Sequence, residues 1–252
     1  MATRIDILTE LNLAPVWRRR AAATVSQTSG EPLVHAQAAV VPIASALANS
    51  PAALDARRAR IAALEWDAFA SDVEACTACG LCRTRNRAVP GVGDVRAEWL
   101  FIGEAPGAEE DMRGEPFVGQ AGRLLDSMLL ALGMQRRRNV YIANVLKCRP
   151  PGNRTPEPQE ADACRPYLER QIALVGPRLL IALGKSAASL LLGTDASIAS
   201  LRGRVHSYQG RPLVVTYHPA YLLRSLHEKA KTWEDLLLAK RTLASLKSAK
   251  GA

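Results

Sequence analysis

Four short apolar runs, each followed by a loop, dominate the second half of the chain. They lie at 99–102, 140–145, 179–184 and 213–216, and almost every position in them is apolar. Strands buried on both faces of a parallel sheet have this composition, because helices cover the sheet from both sides. The sequence therefore predicts an α/β fold: a three-layer α/β/α sandwich around a central, mainly parallel, four-stranded sheet.

The segments between these runs carry helical patterns. Ser50 and Pro51 suit an N-cap and a first helical position, and an apolar stripe continues from there as far as Cys76. Another helix is expected to close at Gly133, and a further one opens at Thr155–Pro156, where Pro166 is expected to kink or interrupt it. A last helix is predicted over about 228–247.

The first fifty residues differ from the rest. Residues 1–20 contain leucines at near-helical spacing, closed by Pro15, and predict an amphipathic segment. Residues 21–49 are rich in Ala, Ser, Val and Thr without a sustained period, which is typical of a flexible linker. Residues 50–252 then form the predicted folded domain.

Charge and cysteine content narrow the function classes. Lysine and arginine outnumber aspartate and glutamate by 33 to 24, which favours a polyanionic partner such as nucleic acid. No run of 18 apolar residues is present, and the N-terminus lacks a signal-peptide pattern, so we expect a cytoplasmic protein. Five cysteines, an odd number, argue against a secreted disulfide framework.

The loops after the predicted strands hold most of the candidate functional residues. These loops span 103–107, 144–154 and 217–224. In open parallel sheets, ligands bind beyond the carboxyl ends of the strands. We therefore expect the three loops to share one rim of the sheet.

Four cysteines indicate a metal site. Cys76 and Cys79 form a C-x2-C pair, while Cys148 and Cys164 are each followed by Arg-Pro. Four thiolates suit either a [4Fe–4S] cluster or a structural zinc ion, so the number of ligands leaves both open. Cys82 extends the first pair, but position 86 is Asn where a ferredoxin run has its next cysteine, so Cys82 is interpreted as the spare thiol.

Several motifs together resemble one family. They are Gly103-Glu104-Ala105-Pro106-Gly107, the Glu115–Gly119 segment, Asn144 through Pro151, and His218-Pro219-Ala220-Tyr221-Leu222-Leu223-Arg224. In this order and spacing they resemble the family 4 uracil-DNA glycosylases, the iron–sulfur branch of the uracil-DNA glycosylase superfamily. The resemblance covers about residues 70–240.

The resemblance implies a role for each site residue. Asn144 would read the uracil edge, Phe117 would stack on the base, and His218 would stabilise the negative charge that develops on the base. Glu104 would orient or partly deprotonate the attacking water, with Gly103 and Ala105 beside the base. No lysine occupies these positions, so a monofunctional glycosylase that leaves an abasic site during base excision repair is expected.

The same resemblance implies DNA contacts. Leu222 would fill the space left by the extruded nucleotide, although packing beneath its loop is an equal alternative. Arg149, Arg154 and Arg224 would lie near phosphates.

Other functions and partners stay open at this point. A non-catalytic iron–sulfur module that binds nucleic acid shares the basic charge and the cysteines, and a zinc-containing nucleotide-phosphate enzyme is a third reading. Residues 1–20 resemble the peptide by which the psi subunit of the bacterial clamp loader binds its chi partner. A tether to replication or clamp-loader proteins is therefore expected, with chance periodicity as the alternative. The protein is expected to be a nucleoid-associated monomer.

Overall fold

The four apolar runs form the parallel centre of a six-stranded sheet. The computed structural model describes residues 50–248, so the predicted segment 1–20 and linker 21–49 lie outside the described residues. The strand order is β1-β3-β2-β4-β6-β5. The strands are β1 (Val92–Gly93), β2 (Trp99–Gly103), β3 (Val140–Asn144), β4 (Leu179–Leu183), β5 (Val205–Tyr208) and β6 (Arg211–Thr216).

Strands β3, β2, β4 and β6 pair in parallel, which confirms the predicted centre of the sheet. The two strands at the sheet edges were not predicted, and both pair antiparallel with their neighbours. β1 has two residues, and β5 alternates between exposed and partly buried positions. Such short or half-exposed strands lack the continuous apolar run that marked the other four.

Helices cover both faces of the sheet, as the three-layer prediction requires. On one face, Leu100, Ile102 and Leu180 pack with residues of the helices that follow β3 and β4. On the other face, Phe101, Ile142 and other alternate strand residues pack with the helix that follows β2 and with the C-terminal helix. The period of two along each strand thus divides the core into two layers.

The helices are named in chain order. They are α1 (Pro51–Ala62), α2 (Trp66–Ala75), α3 (Ala108–Arg113), α4 (Gln120–Ala131), α5 (Pro158–Val175), α6 (Lys185–Leu192), α7 (Ile198–Leu201), α8 (Pro219–Leu222) and α9 (Lys229–Ser248). Short 3₁₀ turns lie at Gly80–Arg83, Pro151–Asn153 and Leu226–Glu228. Within 50–248, no helix has both the length and the apolar character needed to cross a bilayer.

Two helical predictions change in detail. The stripe between Pro51 and Cys76 forms two helices, since α1 ends at Ala62 and α2 begins at Trp66. α5 begins at Pro158 and contains Pro166, which does not interrupt it. The residues after Pro166 bury their apolar side chains against the sheet, and this packing offsets the missing backbone donor.

Candidate functional site

The strand-end loops enclose one pocket, here called the strand-end pocket, with a volume of about 510 Å³. This volume lies within the range of small-molecule sites, roughly 300–1,000 Å³. The predicted loops after β2, β3 and β6 all contribute to it. Its lining includes Glu104, Ala105, Pro106, Gly107, Glu110, Phe117, Ala121, Asn144, Pro150, Asn153, Arg154, His218, Ala220, Tyr221 and Arg224.

Asn144 is the last residue of β3 and forms part of the pocket wall. Its side chain is 2% exposed, and its Oδ1 atom has no hydrogen-bond partner in the described part of the chain. A buried polar atom without a partner costs free energy of about 1–3 kcal/mol. A ligand N–H group that reaches this oxygen would remove the cost.

Gly103 lies opposite Asn144 in the pairing of β2 with β3. A Cβ atom at position 103 would overlap both the Asn144 Oδ1 atom and the Phe117 ring. Glycine is therefore required for these two side chains to approach the same point.

Phe117 lies in the pocket with its backbone in the left-handed region, at a φ of 55°. Its ring stacks against His218, with the ring centroids 5.4 Å apart and the planes inclined by 29°. Its side chain is 5% exposed and also packs on the apolar layer beneath the sheet. A bulky residue with positive φ is rare, so neighbouring residues must hold it in place.

Three residues that the sequence reasoning missed hold this loop. Arg136 donates hydrogen bonds to the carbonyls of Pro116 (2.8 Å) and Phe117 (2.7 Å). The Glu110 carboxylate accepts from the backbone N–H groups of Gly107, Val118 and Gly119. Gly122 allows α4 to approach, because a Cβ there would overlap the Phe117 carbonyl.

His218 caps the N-terminus of α8. Its Nδ1 atom accepts a hydrogen bond from the backbone N–H of Ala220 at 3.1 Å. Since Nδ1 acts as the acceptor, a neutral imidazole carries its proton on Nε2. Burial lowers the pKa of His218 to about 4; the nearby Glu110 carboxylate opposes this shift and Arg224 adds to it. The ring is therefore neutral at physiological pH.

Glu104 and Ala105 follow β2 on the pocket wall, and both are partly exposed. The backbone carbonyl of Glu104 accepts from Leu146 N at 3.0 Å, which joins this loop to the loop after β3. Within residues 50–248, the Glu104 carboxylate forms no ion pair or hydrogen bond. It is therefore free to contact a ligand or a water molecule in the pocket.

The cysteines meet in a second, smaller pocket, here called the cysteine pocket. All five, Cys76, Cys79, Cys82, Cys148 and Cys164, line it. Three of the sulfur atoms accept hydrogen bonds: Cys148 from the Arg85 side chain at 3.0 Å, Cys164 from the Lys147 backbone at 3.3 Å, and Cys76 from Arg57 at 3.6 Å. The surrounding donors suit thiolates, which carry negative charge.

A family model for the uracil DNA glycosylase superfamily matches residues 90–237. The match covers more than half of the chain and contains all three strand-end loops. The chain belongs to the uracil DNA glycosylase superfamily. This membership confirms the resemblance inferred from the motifs and agrees with the observed α/β fold.

Curated members of this superfamily align over most of their length. A type-4 uracil-DNA glycosylase of Archaeoglobus fulgidus is 42% identical over 165 residues, or 62% of this chain and 82% of the relative. The type-4 enzyme of Thermotoga maritima is 44% identical over 67% of this chain and 89% of its own length. A type-5 uracil-DNA glycosylase of Thermus thermophilus is 35% identical over 52% of this chain and 68% of its own length.

The turn after His218 differs from the expectation for a uracil-DNA glycosylase wedge. Leu222, the last residue of α8, is 1% exposed, whereas its neighbour Leu223 is 41% exposed and Tyr221 is 37% exposed. The packing alternative for Leu222 therefore describes this structure. The four-residue helix turns position 222 inward and position 223 outward. A segment of only four residues after His218 is too short for hydrophobic periodicity to predict which of the two leucines is exposed.

The three arginines expected near phosphates occupy different settings. Arg154 and Arg224 line the strand-end pocket, but Arg154 also forms an ion pair with Glu160 at 2.6 Å. Arg149 is partly exposed, and its Nε atom donates to Asn153 Oδ1 at 2.7 Å. The Arg224 side chain is exposed at the edge of the pocket.

Proposed function

We propose that this chain hydrolyses the N-glycosidic bond of uracil in DNA and leaves an abasic site, as a uracil-DNA glycosylase of base excision repair. The observation that carries the proposal is the unpartnered Oδ1 atom of Asn144 in a pocket with Phe117, His218 and Glu104. A base must leave the DNA stack to reach such a pocket.

Asn144 is assigned to recognition of the base. Its Oδ1 atom accepts from uracil N3–H, and its amide donates to uracil O4. Cytosine presents the opposite pattern at both positions, so it would leave two buried polar groups unpaired. Such mismatches discriminate strongly between ligands.

Phe117 and His218 are assigned to the base during bond cleavage. The Phe117 ring offers a stacking surface beside Asn144. As the C–N bond breaks, its electron pair moves to uracil, and negative charge collects on O2. The neutral His218, with its proton on Nε2, donates a hydrogen bond to this oxygen. A donor fixed in a pocket contributes without reorganising.

Glu104 is assigned to the attacking water. The water oxygen bonds to the sugar C1′, and the Glu104 carboxylate orients the water and accepts its proton. The departing uracil leaves as an anion and takes up a proton afterwards. No lysine lines the pocket within the described residues, so the reaction stops at the abasic site without a Schiff base.

The DNA-facing surface is assigned to the turn after His218 and to the loop 144–154, which carries Arg149 and Arg154. Leu223, with Tyr221 beside it, replaces Leu222 as the side chain that enters the space left by the flipped nucleotide, because it is exposed. Arg149, Arg154 and Arg224 contact phosphates, with Arg154 sharing its charge with Glu160.

The cysteine pocket is proposed to hold a [4Fe–4S] cluster on Cys76, Cys79, Cys148 and Cys164, with Cys82 as the spare thiol. A zinc ion with bonds of about 2.3 Å needs sulfur atoms about 3.8 Å apart. Within residues 50–248, no group of three metal-binding side chains converges closely enough for one ion. A four-iron cluster takes four cysteine thiolates, the number of ligands assigned here.

The remaining segments are assigned to DNA repair at the nucleoid and to a partner protein. Residues 50–252 form the glycosylase domain, which is proposed to act as a monomer at the nucleoid. Residues 1–20 are proposed to tether it, through the linker 21–49, to replication or clamp-loader proteins.

A single assay tests the activity. A uracil-containing oligonucleotide is incubated with the protein and then treated with alkali, which cleaves the strand at abasic sites. We expect strand cleavage with the wild-type protein and a loss of about 10³-fold with Asn144→Ala. A matched oligonucleotide with cytosine in place of uracil should stay intact. If the wild-type protein leaves the uracil strand uncut, it is a DNA-binding module and the proposal is wrong.

A further inference from the structure

Lys147 is buried between the strand-end pocket and the cysteine pocket. Its side chain is 1% exposed. Its Nζ atom donates to the backbone carbonyl of Asn144 at 2.8 Å and to the side-chain oxygen of Gln171 at 2.6 Å. Lysine is almost never fully buried without such partners, because desolvating its amine is costly. The two hydrogen bonds explain how it is tolerated.

Gln171, the side-chain acceptor of Lys147, is itself held by hydrogen bonds. This residue lies on α5 and is fully buried. Its amide nitrogen donates to the carbonyl of Pro90 at 2.6 Å and to the Tyr141 hydroxyl at 3.1 Å. The lysine amine therefore meets an acceptor that is itself held by the loop at Pro90 and by Tyr141 of β3, and the network has little freedom to move.

The backbone of Lys147 contacts the cysteine pocket. Its N–H donates to Cys164 Sγ at 3.3 Å, and the next residue, Cys148, is itself buried there. Its carbonyl accepts from Val89 N at 2.7 Å. One residue thus contacts a proposed cluster ligand with its main chain and Asn144 with its side chain.

The contact with Asn144 falls where strand pairing ends. β1 pairs with β3 only at Tyr141 and Ile142, so among the described residues no strand lies beside Asn144 on that side. The Lys147 amine occupies this position and binds the Asn144 carbonyl. A fixed carbonyl restrains the backbone at Asn144, and with it the Cα–Cβ bond from which the side chain with the unpartnered Oδ1 atom projects.

We propose that Lys147 is a positioning residue, which holds the base-reading amide of Asn144 in place and ties its position to the cysteine pocket. The inference rests on the proposed function of Asn144 and extends it to the role of the cysteine pocket in catalysis. The loop that carries Cys148 then serves the reaction by fixing the end of β3.

The test compares Lys147→Met with wild type in steady-state uracil release. Methionine keeps the apolar stem and removes the amine. We expect kcat to fall by about 10²-fold, since small misplacements of reacting groups have effects of this size. The KM for DNA should change less than about twofold, and inhibition by free uracil should weaken by about tenfold, the equivalent of one hydrogen bond.

Three further measurements separate positioning from folding. The iron content of Lys147→Met should equal that of wild type. In an Asn144→Ala background, adding Lys147→Met should change the rate by less than about twofold, because the residue acts through Asn144. Lys247→Met, which removes an exposed lysine paired with Glu98 at the opposite end of the sheet, serves as the control and should behave as wild type.

A second variant covers the case in which Lys147→Met loses its iron. Gln171→Leu leaves the amine in place but removes one of its acceptors, and it should lower kcat by about tenfold with iron retained. Normal uracil release and normal uracil inhibition by an iron-loaded Lys147→Met protein would overturn the proposal, and so would iron loss in both variants. Lack of uracil release by the wild-type protein would instead refute the proposed function.

Discussion

The strand-end pocket and the cysteine pocket share the loop after β3, but they differ in whether their acceptor atoms have hydrogen-bond donors. In the cysteine pocket, the sulfur atoms of Cys76, Cys148 and Cys164 accept N–H donors from surrounding residues. In the strand-end pocket, the Asn144 Oδ1 atom is left without a partner. A resident group suits the first arrangement, whereas a ligand that enters and leaves suits the second.

The two pockets also differ in the kind of residues that form them. The cysteine pocket joins α2, the loop after β3 and α5, so the cluster proposed there would hold these three segments together. The strand-end pocket contains Phe117 at a positive φ and a His218 whose pKa is lowered, and such features cluster at functional sites.

The largest effect is expected in the cysteine pocket. Cys164→Ser should reduce the iron content to near zero and remove the broad absorbance near ~400 nm. The Tm should fall by about 10 °C or more, because several kcal/mol of metal-linked folding free energy would be lost. Cys82→Ser is the matched control and should keep its iron. Loss of iron in Cys82→Ser would show that Cys82 is a cluster ligand and that the assigned set of four cysteines is wrong.

The next effect concerns the strand-end pocket. His218→Ala should lower the rate of uracil release by about 10²–10³-fold, the usual cost of removing one donor to developing charge. The Tm and iron content should stay within the range of wild type. His227→Ala, which alters an exposed histidine nearby, is the control. Turnover at the wild-type rate in His218→Ala would remove this residue from the mechanism.

A smaller effect is expected from the support of Phe117. Arg136→Met removes the donors to two carbonyls of the loop, so the ring should lose its fixed position. We expect kcat/KM to fall by about tenfold, which corresponds to one weakened base–aromatic stack. The exposed Arg138 two residues later provides the control, Arg138→Met. Equal rates for both variants would contradict the assigned role of Arg136.

The smallest effect is expected when the pH of the uracil-release assay is changed. The pKa of His218 is lowered from 6.5 to about 4, so the ring is already neutral at pH 5. Single-turnover rates measured from pH 5 to 8 should therefore show no inflection near 6.5 from this residue. The unfolded chain binds a proton that the folded chain refuses between pH 6.5 and about 4, so stability decreases as the pH falls through this window. An inflection that disappears in His218→Ala would contradict the neutral ring.

The parallel centre of the fold was predictable because its strands are apolar at nearly every position. The grouping of Glu104, Asn144 and His218 at one pocket followed from the same rule, since the carboxyl ends of parallel strands share one edge. Phe117 was harder to place, because it precedes α4 instead of ending a strand.

The residues that escaped prediction act through backbone groups. Arg136 binds two carbonyls, Glu110 accepts three N–H groups, and Lys147 binds the Asn144 carbonyl. Their partners depend on how loops approach each other, and neither periodicity nor motif spacing encodes this. The inward turn of Leu222 is a similar case, since a single helical turn decides which of two adjacent leucines is exposed.

The unpartnered oxygen of Asn144 also affects the stability of the protein with and without a bound ligand. A site that keeps an oxygen atom unsatisfied holds the resting protein below the stability it would have with that demand met. A bound base that donates an N–H to this oxygen, as the proposed product uracil would, relieves this deficit and makes the fold more resistant to heat. If Asn144 reads the base as proposed, selectivity and retention of the product arise from the same atom.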